Sequence, residues 1–310
     1  MAGYDMTMLE DRTNLLAFLQ NCAKYCLVQS NESDRAFKLL FQLWEKASGK
    51  LWFLGYWNDY FRCGNIVLKS ARAVNNVEVQ AQLLSELGWA CMEWEEFATA
   101  QKFFHESLQN YQSLQDDLKQ CRLLRYLGVL SHRQEQLNSA LEYFRKAWHI
   151  VKANSTKVYV DDKWAFYEAE LPNVIGCVYL DLQEFYESYH ELHLSLENYH
   201  ALLENYPNLK TRYRYYQADP LLNLGRWHFL QGDYEQARQY YQECIQLSTE
   251  INRTDTMADV LLRLAEIAET EGNEEEAVNL ASEAERVAGT EITSIRDRAA
   301  RFKEKVLAKK

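Results

Sequence analysis

Four clusters in this 310-residue chain combine residue types and spacings that could do chemistry. Ser48-Gly49-Lys50-Leu51 has the glycine and lysine of a phosphate-cradling loop. It ends in Lys-Leu rather than Lys-Ser/Thr and lacks the upstream glycine, so it cannot surround an anion with amides. In YHELHLSLENYH, His190 and His193 stand three apart on a helical pattern, with Glu187 one turn before Glu191, and could converge on a metal. The order is not H-E-x-x-H, however, and LHLSL reads as a packing stripe, so ordinary surface or interface histidines are expected. Cys22 and Cys26, four apart, could form half a zinc site, but no second pair follows, and buried thiols in an end cap are the reading adopted. RYRYYQ (212–217) interleaves aromatics with Arg212 and Arg214 as a base-stacking surface would, yet the alternation does not persist. No dinucleotide-binding glycine fingerprint or nucleophile elbow occurs. The expectation is a chain that is not an enzyme and has no cofactor and no metal.

Composition narrows the class further. The formal charge of -11, from 45 acidic against 34 basic side chains, argues against nucleic acid or an anionic membrane surface as partner. The seven cysteines are an odd number scattered through helical patterns, which suits reduced core thiols and a cytoplasmic location. No basic n-region precedes a long apolar run, and nowhere do about 18 uncharged apolar residues occur together, so a soluble, unprocessed chain is expected. Apolar residues make up 47% and aromatics 13%, with only three prolines and eleven glycines, which favours an all-helical protein.

The elements that must position any site are repeated. QLLSELGWACMEWEEFATAQKFF, RLLRYLGVLSHRQEQLNSALEYF and PLLNLGRWHFLQGDYEQARQYY align on Gly88, Gly128 and Gly225. Further copies centre on Gly176 and on Ala265, giving steps of 40, 48, 49 and 40 residues. Twelve residues after each lies a second small position: Ala100, Ala140, Ser188, Ala237 and Ala277. One turn later come Phe104, Phe144, Leu192, Tyr241 and Ala281. A small residue on each of two antiparallel helices lets their backbones approach, and the large residue is expected to fill the gap to the next unit. Breaks such as Gln231-Gly232-Asp233 and Glu271-Gly272-Asn273 offer glycine for the left-handed turn between the helices.

These residues resemble the tetratricopeptide repeat family. The copy at 218–250 matches best, through Leu221, Leu224, Gly225, Gly232, Tyr234, Ala237 and Tyr241, and departs at His228 and Cys244. Steps above the family's minimum of about 34 residues make the chain similar to the long-repeat type of kinesin light chains and of the sensor halves of STAND-type regulatory ATPases. The resemblance implies an all-α, right-handed α-solenoid of antiparallel helix pairs. Five repeats are expected at about 81–114, 121–153, 164–204, 218–250 and 258–288, within 77–290. A degenerate pair would span 35–76, a capping helix 1–34, and a second capping helix 291–310 with Ile295, Ala299, Phe302 and Val306 as its buried stripe. Ser33 or Asp34 is placed to cap the helix that follows the first. The stretch 153–164 reads as a loop or as the start of a long helix capped by Asp161 or Asp162.

In the family, the first helix of each pair lines a concave surface. Carried onto this sequence, that implies groove positions at Gln82, Ser85, Trp89 and Met92, then Arg122, Arg125, Val129 and His132, then Asn173 and Cys177, then Asn223, Arg226 and Phe229, then Asp259, Arg263 and Glu266. Arg122, Arg125, Asn173, Asn223 and Arg226 would form a ladder of donors in an otherwise acidic chain. Amides can pair with an extended backbone, and arginine forks hold carboxylates, so the expected partner is a protein or peptide with acidic groups or a free C-terminus. The leading reading is a non-enzymatic interaction module that binds a peptide or protein segment in the concave groove, as a sensor or adaptor of a regulatory system. The alternative is a scaffold that uses its convex face and caps to hold a complex together.

Overall fold

The computed structural model describes residues 3–27, 32–290 and 292–308. Among them are fourteen α-helices, two short 3-10 turns and no strand, and the chain divides into two compact units, 1–134 and 135–310. Unit 1 holds α1 (Gly3–Leu27), α2 (Ser33–Phe53), α3 (Trp57–Ala73), α4 (Val77–Glu93), α5 (Phe97–Ser113) and α6 (Asp117–Arg133). Unit 2 holds α7 (Leu137–Ala153), α8 (Asp162–Asp181), α9 (Phe185–Asn205), α10 (Lys210–Leu230), α11 (Tyr234–Glu250), α12 (Thr254–Thr270), α13 (Glu274–Ala288) and α14 (Thr293–Leu307). Each unit is a stack of antiparallel helix pairs, the architecture of an α-solenoid.

The pairs close on their glycines. A Cβ at Gly88 would lie 2.7 Å from Phe104, one at Gly176 would lie 2.8 Å from Leu192, and one at Gly225 would lie 2.4 Å from Tyr241. The large residue therefore packs first on the glycine of its own pair, which corrects the expectation that it mainly fills the gap to the next. It also reaches onward: the Phe104 and Tyr126 ring centroids are 5.5 Å apart, and Tyr241 shares a core cluster with Val260 and Leu264 of α12.

Successive helices are joined by a repeated turn. Its second residue has positive φ whether it is Gly55, Gly232 and Gly272 or Asn75, Glu95, Gln115, Gln183 and Asn252. The Glu96 amide donates to the Cys91 carbonyl at 2.9 Å and the Glu95 amide to Met92 at 3.1 Å, a Schellman closure of α4 that recurs at the other turns. Side chains of Asn76, Asp116, Asp233 and Asn273 then cap the following helices.

A second bond ties the pairs at a fixed separation. Ser107 Oγ donates to the Ala81 carbonyl at 2.6 Å, Ser195 Oγ to Ala169 at 2.7 Å, and Cys244 Sγ to Ala218 at 3.3 Å, each spanning 26 residues. Pro172 inside α8 cannot supply the amide that would bond the Glu168 carbonyl, and Asn198 Nδ2 on α9 does so at 2.9 Å.

At the first helices, Glu32 rather than Ser33 or Asp34 occupies the N-cap of α2, without a side-chain cap bond. Ser33 lies inside the helix and donates to the Tyr25 carbonyl at 3.2 Å. The stretch after α7 forms a 3-10 turn, Ser155–Tyr159, and Asp161 caps α8 by accepting from the Lys163 amide at 2.9 Å. In α14, Ala299 and Val306 are fully buried, and Phe302 packs on the cluster that contains Ala299.

Candidate partner-binding site

The first helices α4 and α6 carry the unit 1 candidates. With Gly88 held against α5, the next residue, Trp89, is half-buried, and its ring lies 4.8 Å from Tyr126 of α6. Trp89 and Arg122 border one pocket of about 170 Å³, together with Trp52 of α2, Tyr60 of α3, and Ser85, Glu86 and Tyr126. Trp52 meets Tyr60 edge-on at 5.3 Å. Burial raises the Glu86 pKa, although Gln82 Nε2 at 2.8 Å, Trp44 Nε1 at 3.3 Å and the charges of Arg122 and Lys119 all favour its ionised form. Arg122 Nε is buried with no hydrogen-bond partner. Arg125 and His132 follow on α6, both half-buried. Burial pushes the Cys121 thiol up to about 12, and the Arg125 charge opposes that rise. Met92, expected on the groove face, is fully buried instead, because α4 is covered on more sides than a surface helix.

In unit 2 the expected donors engage one another or nearby acids. Asn223 Nδ2 of α10 donates to Asn173 Oδ1 of α8 at 3.0 Å, and Asn173 is buried. Arg226 of α10 pairs with Asp181 of α8 at 2.7 Å, each still about a third to a quarter exposed, at 32% and 25%. The Cys177 thiol is pushed up to about 12 by burial and by the Asp181 and Asp219 charges, against the pull of Arg226. Phe229 packs on Tyr234 across the α10–α11 turn, with ring centroids 5.6 Å apart. On α12, Arg263 lies between Asp259 at 3.8 Å and Glu266 at 3.2 Å, and Arg298 of α14 reaches Asp259 at 2.9 Å. Asp259, expected to face a ligand, is thus held by the last helix.

The structure explains other residues singled out by type. His193 sits in an aromatic cluster, 4.2 Å from Tyr189 and 6.4 Å from Tyr240, with Nε2 buried and unpartnered. Burial, reinforced by the neighbouring His228, lowers its pKa. Arg212 pairs with Asp162 at 3.8 Å, and Arg214 pairs with Glu250. All seven cysteines are free. Among the described residues of either unit taken alone, no three His, Cys, Asp or Glu side chains converge as a metal would need.

Sequence reasoning missed Trp52, Tyr60, Glu86, Tyr126 and Asp181. Glu86 was the findable one, an acid set inside the apolar run LLSELGWA. Trp52 and Tyr60 come from helices outside the five repeats, where no offset pattern points to them.

No curated protein matches the chain. A tetratricopeptide repeat family model matches residues 216–289. Among solved structures, BtubC (BKLC) from P. vanneervenii is similar with TM-score 0.53 and 17% identity, over 81% of this chain and 91% of that one. A Rap protein solved in complex with Competence and Sporulation Factor is similar with TM-score 0.59 and 10% identity, over 92% and 83%. The STAND protein with a tetratricopeptide repeat sensor from Pyrococcus horikoshii gives TM-score 0.58 and 18% identity, over 92% of this chain and 41% of that one. At such identities the likeness concerns the fold. Residues 216–289 are tetratricopeptide repeats, and the chain as a whole has the helix-pair fold of tetratricopeptide-repeat proteins.

Proposed function

We propose that the chain is a non-enzymatic protein-interaction module that binds a peptide or protein segment on the first-helix faces of its repeats, as the sensor or adaptor of a regulatory system in the cytoplasm. The observation that carries this reading is the face that α8 and α10 share in unit 2, where Asn173, Asn223 and Arg226 bring amide and guanidinium groups together, buried or half-buried rather than free in solvent. Within unit 1, α6 offers half-buried Arg122 and Arg125. Partly desolvated donors bind acceptors more strongly than exposed ones, so a segment with acidic groups or a free C-terminus is the fitting partner. The Rap protein solved with Competence and Sporulation Factor shares the fold and supports the reading by analogy. No helix among the described residues is long and apolar enough to cross a membrane.

A second reading, a scaffold that holds a complex, is favoured by the α2–α3 corner, where Phe53 is 89% exposed and Leu54 and Trp57 are each 48% exposed. Capture of partners from a lysate separates the two readings. The Arg125→Ala/Arg226→Ala variant is compared with Phe53→Ser/Trp57→Ser, and circular dichroism confirms the fold of both. Capture lost only with the arginines supports the first reading. Capture lost only with the corner residues sinks it in favour of the scaffold.

A further inference from the structure

A cavity of about 470 Å³ in unit 2 is lined by α9, α10 and α11. That size falls among pockets that hold small ligands, roughly 300–1,000 Å³. Lys210, Arg214, Gln217 and Leu221 recur at helical spacing and turn one stripe of α10 toward it. Asn223 and Arg226 engage α8 instead, so the cavity is separate from the face proposed above.

Gln217 decides its chemistry. The residue is only 7% exposed, lines the cavity and makes no hydrogen bond among the described residues. Its amide atoms keep accessible surface, so a ligand in the cavity can reach them. A desolvated amide without a partner is unfavourable, and it offers both donors and an acceptor to whatever fills the space.

The surroundings narrow the occupant. Leu203, Leu221 and Leu247 give the walls apolar surface, and Leu221 and Leu247 are buried. On the rim, Lys210, Arg214 and His200 stand against Glu204, Glu243 and Glu250, with Arg214 paired to Glu250. All but Arg214 are exposed, so charges of both signs, well solvated, reward neither an anion nor a cation. What fits is a neutral group with a donor and an acceptor side by side, next to an aliphatic side chain. One residue of an extended peptide has that form, because its N–H and C=O point the same way.

We propose that this cavity is a second peptide site, in which the Gln217 amide pairs with the N–H and C=O of one extended residue. Leu203, Leu221 and Leu247 receive that residue's aliphatic side chain.

The test uses the full chain and ligand-observed NMR. The probe is N-acetyl-leucine N-methylamide, a leucine flanked by two peptide groups, and the control is the same compound methylated on the leucine nitrogen. The probe is expected to bind and the control to bind up to about tenfold more weakly, the value of one hydrogen bond. Gln217→Met removes an amide that has no partner in the protein, so the variant should fold and bind probe and control equally. The proposal is overturned if the probe does not bind the wild-type chain, if the control binds as well as the probe, or if Gln217→Met keeps the preference. Should that variant not fold, Glu243→Trp on the exposed rim takes its place. Weaker probe binding then supports the site, and unchanged binding overturns it. Probe binding lost with Arg125→Ala/Arg226→Ala would place the probe on the first-helix faces and overturn the assignment.

Discussion

Gly225 on α10 lies so close to Tyr241 on α11 that a Cβ at position 225 would stand 2.4 Å from the ring. Tyr241 is fully buried, so the ring has nowhere to retreat without repacking. Gly225→Ala is expected to cost about 1–3 kcal/mol, the usual penalty of overpacking a dense core. Urea denaturation of the single variant and of Gly225→Ala/Tyr241→Leu checks the cause. The second change should recover part of the loss, and simple additivity would exclude this contact as its source.

The inter-helix turns predict changes in the opposite direction. Glu95 and Gln183 occupy the left-handed position at φ 62° and 61°, where other turns have glycine, and both are exposed. The left-handed conformation costs a side-chain-bearing residue about 1–2 kcal/mol, and glycine's extra unfolded entropy returns about 0.5–1. Glu95→Gly and Gln183→Gly should therefore each raise stability by up to about 1 kcal/mol in thermal melts. Gly232→Ala, at φ 76° with open space around it, should lower it.

Arg253 holds Asp219 at 2.8 Å, and its guanidinium lies 4.4 Å from the centroid of the Tyr215 ring. Burial outweighs the attraction and raises the Asp219 pKa to about 6, above its unfolded value, so this acid takes up protons on folding between roughly pH 4 and 6. Its ionisation therefore opposes stability as pH rises through that window, and protonation relieves the penalty below it. Arg253→Ala should destabilise the protein by about 1–3 kcal/mol at pH 8, where a half-buried carboxylate loses its partner. The loss should shrink at pH 5, where Asp219 is largely neutral. Melting curves at the two pH values test the sign, and an equal loss at both would contradict it.

Arg226 is available to an acidic ligand only in competition with Asp181. Asp181→Asn should tighten binding of an acidic peptide several-fold, because the guanidinium no longer has an internal carboxylate to leave. Isothermal titration against the same peptide with its acids amidated gives the control. Weaker binding by the variant would mean that Asp181 orients Arg226 for the ligand.

The thiols make a chemical prediction. Burial pushes Cys63 up to about 11 and Cys91, Cys121, Cys177 and Cys244 up to about 12, which leaves little thiolate at neutral pH. Iodoacetamide at pH 7.5 should label these five slowly in the native protein and quickly in urea, as read by mass spectrometry. Rapid native labelling of Cys177 would show that its surroundings open.

The repeat was legible from sequence because its constraint is local. Gly88, Gly176 and Gly225 with Phe104, Leu192 and Tyr241 sixteen residues later recur at one spacing, since a helix, a turn and a returning helix bring those positions together by geometry alone. The turn glycines follow from the same rule. What a first-helix side chain meets depends instead on helices from other pairs. Sequence offsets singled out Asn223 and Arg226 on α10, but only packing against α8 engaged them with Asn173 and Asp181. Likewise Trp89 and Arg122 became the border of a pocket because α2 and α3 bring Trp52 and Tyr60 beside them. Periodic backbone approach is set within one pair, whereas the desolvation and partnering that give a side chain its chemistry are set by neighbours distant in sequence.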